Sequence, residues 1–464
     1  MLTALVIIFV VGYLAIALEH PLKIDKTASA LVLGMLMWVL YALGAADIVP
    51  KVSGEHFHRF LAENPSLNDL SPARQALEYV LNIDIVEHLG DIAQTLLFLI
   101  GAMTIVELVD VHGGFGIITD RINTRDKRKL LWIISFTTFF MSAILDNLTT
   151  TIVMILLLRK LIADKQERWL YAGAIVLAAN SGGAWSPIGD VTTIMLWVKG
   201  NVTAPALLSY ILLPSLVSMV LPTAIIARSL HGTLESQPPF ETEIRFISKG
   251  ERKTIFFLGV GGLIFVPVFK SITHLPPFVG ILFVLGCLWV FTEIFYNSKK
   301  MLDSAKELRL PKIISRIDMP SILFFLGILM AVAVLQSTGL LSGMANVLDE
   351  KIHNIYIINV VLGVLSSIVD NVPLVAGVMG MYPVADPGTT GYFADFVIDG
   401  TFWELLSYCA GVGGSILIIG SAAGVIAMGL EKISFGWYLK KFTWLALIGY
   451  LAGVGVYMLE KMIF

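Results

Sequence analysis

LLWIISFTTFFMSAILDNLTTTIVMILLL, residues 130–158, decides the fold, because it is apolar along its length yet carries Asp146 and Asn147 at its centre. Arg125, Lys127, Arg128 and Lys129 precede it, and Arg159, Lys160, Lys165 and Arg168 follow it. Lys and Arg gather on the cytoplasmic side of membrane spans, so both ends of this segment belong on one side. As a single helix it would run about 44 Å, against a hydrocarbon core of about 30 Å. Folded back at Asp146, each arm reaches about 21 Å, to or past the midplane. A re-entrant hairpin over 130–158 satisfies charge and length together, and a tilted single helix satisfies neither.

The rest of the chain has the composition of a membrane protein. Of 464 residues 56% are hydrophobic and 14% charged, whereas soluble domains carry about a quarter charged residues. A net charge of −3 offers no basic field for nucleic acid. Cys287 and Cys409 both lie in apolar runs, which argues against a disulfide framework or a thiolate metal site. Spans of about 20 apolar residues are expected at 2–18, 27–45, 89–110, 169–198, 205–227, 255–270, 277–296, 319–337, 401–430 and 442–460. The first lacks a basic leader and a small-residue cleavage site, so it reads as a helix and not as a removed signal. With both ends of 130–158 cytoplasmic, the cytoplasmic loops hold 25 of the 32 Lys and Arg residues, and both termini fall outside. The external stretch 46–88 shows no period from which to fold it. Its Glu55, His56 and His58 read as solvated residues before they read as a metal site.

The chain also repeats. TLLFLIGAM (95–103) resembles ILFFLGILM (322–330), and SAILDNLTTTIVM (142–154) resembles SSIVDNVPLVAGVM (366–379). NSGGAWSPIGDVTTIM (180–195) parallels GVGGSILIIGSAAGVIAM (411–428), with Asp190 opposite Ser421. Five crossings and one hairpin per half force the second copy into the membrane upside down. The expected fold is an all-α integral membrane protein of two inverted repeats, 1–227 and 255–464, joined by a cytoplasmic linker at 228–254. It has about ten transmembrane helices, re-entrant hairpins at 130–158 and 354–382, and broken helices at 169–198 and 401–430. Such repeats characterise secondary transporters, whose sites lie at the repeat interface.

Ionisable groups at membrane depth are costly and mark function. Asp146 sits at a hairpin tip with Asn147, Thr149, Thr150 and Thr151; capping of the second arm is the plainer reading of that aspartate. Asp190 follows three glycines and a proline in an apolar span, and unwound backbone survives at depth only where it lines a cavity or is buried in protein. Asn180, Ser181, Ser186, Thr192 and Thr193 add oxygens there, and a simple kink is the alternative. Asp370 and Asn371 repeat the first motif behind Ser366 and Ser367, while the second break offers Ser415 and Ser421 without a carboxylate. Glu107 is an accessory candidate, placed either in the same cavity or at the cytoplasmic interface. Glu293, Asp318 and Glu404 fall near span ends, where snorkelling or capping accounts for them. His88 and His112 read as interfacial histidines before pH sensors.

At these residues the sequence resembles the NhaD-type sodium/proton antiporters of the ion transporter superfamily. LDNLTTT (145–151), NSGGAWSPIGDVTT (180–193), SIVDNVP (367–373) and GGSILIIGSAAG (413–424) carry the resemblance over nearly the whole chain. It implies a scaffold domain and a transport domain, and an ion site at the hairpin tips and helix breaks. Motif by motif it selects Asp146, Asn147, Asn180, Asp190, Thr192, Thr193, Ser366, Asp370 and Asn371, with sodium at Asp146, Asn147 and Asp190. A homodimer is implied by the resemblance alone. Dicarboxylate carriers of the same superfamily share the architecture but have a Ser-Asn-Thr tip, and the Asp-Asn tips here would repel an anionic substrate. Arsenite permeases and the melanosomal P-protein group also have Asp-Asn tips.

The expected function is therefore exchange of cytoplasmic sodium or lithium for external protons in a bacterial-type inner (plasma) membrane. A carboxylate binds a proton or ligates sodium, and burial brings the two into competition. Asp370 near Asp146 would hold a proton shared between two carboxylates. An arsenite or other oxyanion permease is the alternative, weakened because no Arg or Lys lies at either tip or break. No nucleophile–base pair or phosphate loop is visible, so an enzyme is not expected and no cofactor is called for beyond the transported ions.

Overall fold

Helices account for every regular element among the described residues, 1–119, 122, 124–234, 248–298 and 309–463 of a computed structural model. The main ones are α1 (Leu2–Ala17), α2 (Lys26–Leu43), α3 (Ile85–Val111), α4 (Lys127–Leu145), α5 (Asn147–Leu161), α6 (Lys165–Ala184), α7 (Val191–Lys199) and α8 (Leu212–Ser229). They are followed by α9 (Lys249–Thr273), α10 (Pro277–Ser298), α11 (Met319–Ser337), α12 (Ile355–Ser366), α13 (Asn371–Met381), α14 (Thr401–Gly413), α15 (Ala422–Glu431) and α16 (Thr443–Ile463). Residues 235–247 of the 228–254 linker lie outside the described residues, as do 299–308 of the loop 297–317.

Eight helices are long and apolar enough to cross a membrane among the described residues, and the chain is a multi-pass membrane protein. Seven of the eight overlap expected crossings; the eighth is α4, which was expected only as a hairpin arm. Three expected crossings are missing from that set for a physical reason. The helix at 2–16 is short, and those at 169–198 and 401–430 are each divided at a break. Val191–Lys199, Thr401–Gly413 and Ala422–Glu431 are too short to span alone, and Lys165–Ala184 has 20 residues but opens on a polar, charged turn and is not among the eight. The first arm at 130–158 also differs from expectation: α4 begins within the basic run, at Lys127, so it has 19 residues against 15 for α5.

The chain divides into two compact units, each drawing on both sequence halves. The first comprises Met1–Leu96, Asp318–Asn354 and Val372–Pro383. Its centre is the pair α2 and α11, which touch backbone to backbone. A Cβ on Gly34 would sit 2.4 Å from the Gly327 carbonyl oxygen, and one on Gly327 2.6 Å from the Ala30 carbonyl. Small residues permit such approach where lipid gives helices no hydrophobic reason to associate. The stretch 46–88 is ordered here, as short helices at Ala45–Val52, Gly54–Glu63 and Pro72–Tyr79 with a π-turn at Val80–Asp84 running into α3. Local periodicity gave no warning of this, because the pieces are held by packing and by Tyr41, whose hydroxyl donates to buried Asp84 at 2.6 Å. Glu55, His56 and His58 are exposed.

The second unit, Leu97–Ile317, Ile355–Asn371 and Val384–Phe464, contains every break that the sequence singled out. α4 packs on α5 and α6, α12 on α14, and α15 on α5 and α6. Close backbone contacts recur in register. A Cβ on Gly182 would meet the Phe139 carbonyl oxygen at 2.1 Å, and one on Gly413 the Gly363 carbonyl oxygen at 2.1 Å. Ser142 Oγ donates to the Ala179 carbonyl at 2.6 Å, and Ser366 Oγ to the Ala410 carbonyl at 2.8 Å. Asp190 and Ser421 cap α7 and α15 with nearly equal backbone angles, φ −146 ψ 149 and φ −146 ψ 155.

Candidate functional site

The site grows from helix ends. At Asp146 the backbone turns to φ 75, a left-handed value that a non-glycine residue holds only at a cost of about 1–3 kcal/mol. The side chain secures the turn by accepting the Thr149 N–H at 2.7 Å and the Thr149 hydroxyl at 3.0 Å. Asp146 therefore caps α5 while half-buried at the break. Asp190 does the same for α7: it accepts the Thr192 N–H at 3.1 Å, and its own N–H donates to Thr193 Oγ1 at 3.2 Å. Glycine is required before it. Gly183 and Gly189 lie so close that a Cβ on either would come within 2.8 Å of the other's backbone.

Asp190 is the centre of the site, and only 1% of its surface is exposed. Asn147 Nδ2 donates to Asp190 Oδ2 at 2.7 Å and to Asn180 Oδ1 at 3.1 Å. Asn371 Nδ2 lies 3.4 Å from both Asp190 oxygens. Asn180 Nδ2 in turn donates to Ser421 Oγ at 2.8 Å, and Ser421 Oγ accepts the Gly424 N–H at 3.2 Å. The amides of both Asp-Asn motifs thus meet on one carboxylate, and the second break joins them through Asn180. Asp146 and Asp370 are within electrostatic reach of Asp190, which makes it their common neighbour. Helices α5, α7 and α15 all begin here, and their positive ends favour negative charge. No Arg or Lys pairs with Asp146 or Asp190 among the described residues. The buried hydroxyl of Thr150 has no hydrogen-bond partner and that of Thr192 lies against Asp190, so neutral oxygens stand beside the carboxylates.

Other expected members lie elsewhere. Ser181 bonds Ser218 on α8 at 2.8 Å, Ser415 returns to the Val412 carbonyl at 2.6 Å, and Ser366 is spent on Ala410. Glu107 lies near Asp110 and Arg316, with no hydrogen bond to the Asp190 group. Two residues were missed. Ser407 Oγ donates to the Ala184 carbonyl at 3.0 Å, satisfying the end of α6 at its break. Ser142 performs on α6 what Ser366 performs on α14, and aligning the two repeats four residues before each aspartate would have found it. Glu404, expected near a span end, is fully buried there, bonded to Tyr457 Oη at 2.6 Å and Lys461 Nζ at 2.8 Å.

Broken apolar helices meeting on buried carboxylates and amides define a membrane transporter of the secondary type. The comparisons with known proteins agree. A family model described as "Citrate transporter" matches residues 6–395. "Sodium/proton antiporter 1" and "Sodium/proton antiporter 2" of Arabidopsis thaliana are 40% and 39% identical, over 98% and 97% of this chain and 72% and 98% of theirs. "Na(+)/H(+) antiporter NhaD" of Alkalimonas amylolytica is 30% identical over 97% of this chain and 89% of its own. The chain belongs to the citrate-transporter family, a family of transporters, within its NhaD-type sodium/proton antiporter branch.

Proposed function

We propose that the chain exchanges sodium or lithium for protons across a membrane, at a site centred on Asp190. One observation carries the reading: buried Asp190 receives the side-chain amides of Asn147 and Asn371, one from each Asp-Asn motif. An amide presents N–H on one side and C=O on the other. Both amides donate to the carboxylate; half a turn of either replaces a donor by an oxygen ligand. Asp190, Asp146, the Asn oxygens and the Thr150 and Thr192 hydroxyls then form the all-oxygen shell that a hard cation takes. A proton on the carboxylates and sodium among them exclude each other, so proton entry down its gradient drives sodium out, with no bound cofactor required.

The membrane arrangement supporting this is two inverted repeats, 1–227 and 255–464, with α4–α5 and α12–α13 as re-entrant hairpins entering from opposite sides and both termini outside. The recurring Ser-to-carbonyl and glycine contacts of the two breaks favour it. The unit holding the breaks is the moving, ion-carrying part, and a homodimer is the working form. Citrate, for which the matching family is described, is a poor occupant, since its carboxylates would face three aspartates. Everted vesicles should show sodium- and lithium-induced dequenching of a pH-sensitive dye. Absence of any response between about pH 6 and 9, the span in which perturbed carboxylates exchange protons, overturns the proposal; arsenite resistance without such a response favours the oxyanion reading.

A further inference from the structure

About 18 Å along α5 and α6 from the ion site, at 1.5 Å per residue, lies a second polar cluster to which no role has been given. Glu431, the last residue of α15, is 2% exposed. Its Oε1 accepts Arg159 Nε at 2.7 Å and its Oε2 accepts Arg168 Nε at 2.9 Å. The indole of Trp169 donates to the Glu431 carbonyl at 3.0 Å, and Arg159 also donates to the Leu430 carbonyl. Arg168 further binds the carbonyls of Ile162 and Ala163 at 2.9 and 2.8 Å, fixing the turn between α5 and α6.

A carboxylate at a helix C-terminus is in the wrong place for the helix that carries it, because that end of the dipole is negative. Arg168, in the first turn of α6, is equally misplaced. Neither residue stabilises its own helix; each serves the connection. The connection spans the same three helices that meet at the site. Asn147 begins α5, Asn180 lies on α6 and Ser421 caps α15, and the Asn180 amide joins all three at that end. Twelve residues separate Asn147 from Arg159 and Arg168 from Asn180, and ten separate Ser421 from Glu431. Three helices are therefore tied at both ends, by one amide at the site and by one carboxylate remote from it.

We propose that Glu431 is a positioning residue for ion binding: by tying α5, α6 and α15 at their far ends it sets the spacing of Asn147, Asn180 and Ser421. The inference rests on the site reading above. Removing one partner of a buried ion pair leaves the others unpaired, so the tie should open in Glu431→Gln. The test is sodium titration of proton flux in proteoliposomes of the full chain, wild type against Glu431→Gln and Glu431→Asp. For folded Glu431→Gln, monodisperse on size exclusion, KM for sodium should rise about 10- to 100-fold, the usual effect of losing an outer-shell support, while kcat stays within about twofold; Glu431→Asp, which keeps the charge, should recover part of the affinity. An unchanged KM in folded Glu431→Gln overturns the inference and leaves the site reading intact. If Glu431→Gln does not fold, Arg168→Lys, which loses the carbonyl contacts, is titrated instead, and an unchanged KM there overturns it equally. A wild-type chain that exchanges nothing overturns the site reading and this inference with it.

Discussion

The two helix breaks share a scaffold and differ in their chemistry. Asp190 and Ser421 have the same backbone conformation and the same capping duty, yet one brings a charge and the other a hydroxyl. Asn180 has Gly411 as its counterpart, and a Cβ on Gly411 would lie 4.0 Å from Asp190 Oδ2. The side chain present in the first break reaches across to Ser421, and its absence from the second lets Ala184 pack against Gly411, where a Cβ would meet Ala184 Cβ at 3.1 Å. The tips differ too: Asp146 holds a left-handed φ and Asp370 does not. Repetition fixes where helices end, whereas the few unmatched residues gather charge on one side of the site.

Neutralising the unmatched carboxylate is the most severe way to break this comparison. Asp190→Asn removes the charge and one of the two oxygens facing the Asn147 and Asn371 amides, and with charge-assisted bonds worth about 1.5–3 kcal/mol each, exchange should fall by about 100-fold or more. Dye dequenching in everted vesicles reads it, and near-normal exchange would show that the two breaks are equivalent. Asp146→Asn should come next, raising KM for sodium about tenfold, measured by sodium titration at fixed pH. Asp370→Asn should cost less sodium affinity than Asp146→Asn. It should move the pH–activity profile toward acid, because one negative charge fewer sits beside Asp190. An unmoved profile with full exchange would reduce Asp370 to a capping residue. The mildest change is Ser421→Ala, which loses a cap worth about 1 kcal/mol and frees the Asn180 amide, for a fewfold rise in KM. A loss as large as that of Asp190→Asn would place the charge asymmetry in the wrong position.

Much of this was legible in the sequence because bilayers impose strict rules. An apolar stretch with basic flanks and a central Asp-Asn must break, and it breaks at Asp146. Glycines around Asp190 had to permit close backbone approach, and Gly183 and Gly189 do. Such features are local: they follow from length, charge and backbone sterics along one stretch of chain. What only the tertiary structure decided is which distant groups meet. Residues 147, 180, 190, 371 and 421 are far apart in sequence, and only packing joins the amides of both motifs on one carboxylate. It likewise sent Ser181 to Ser218, put Glu107 beside Asp110 and Arg316, and buried Glu404 against Lys461. Helical period fixes the direction of a side chain about its own axis, but the neighbour it finds depends on how that helix is rotated and shifted against the next, and no local signal encodes that.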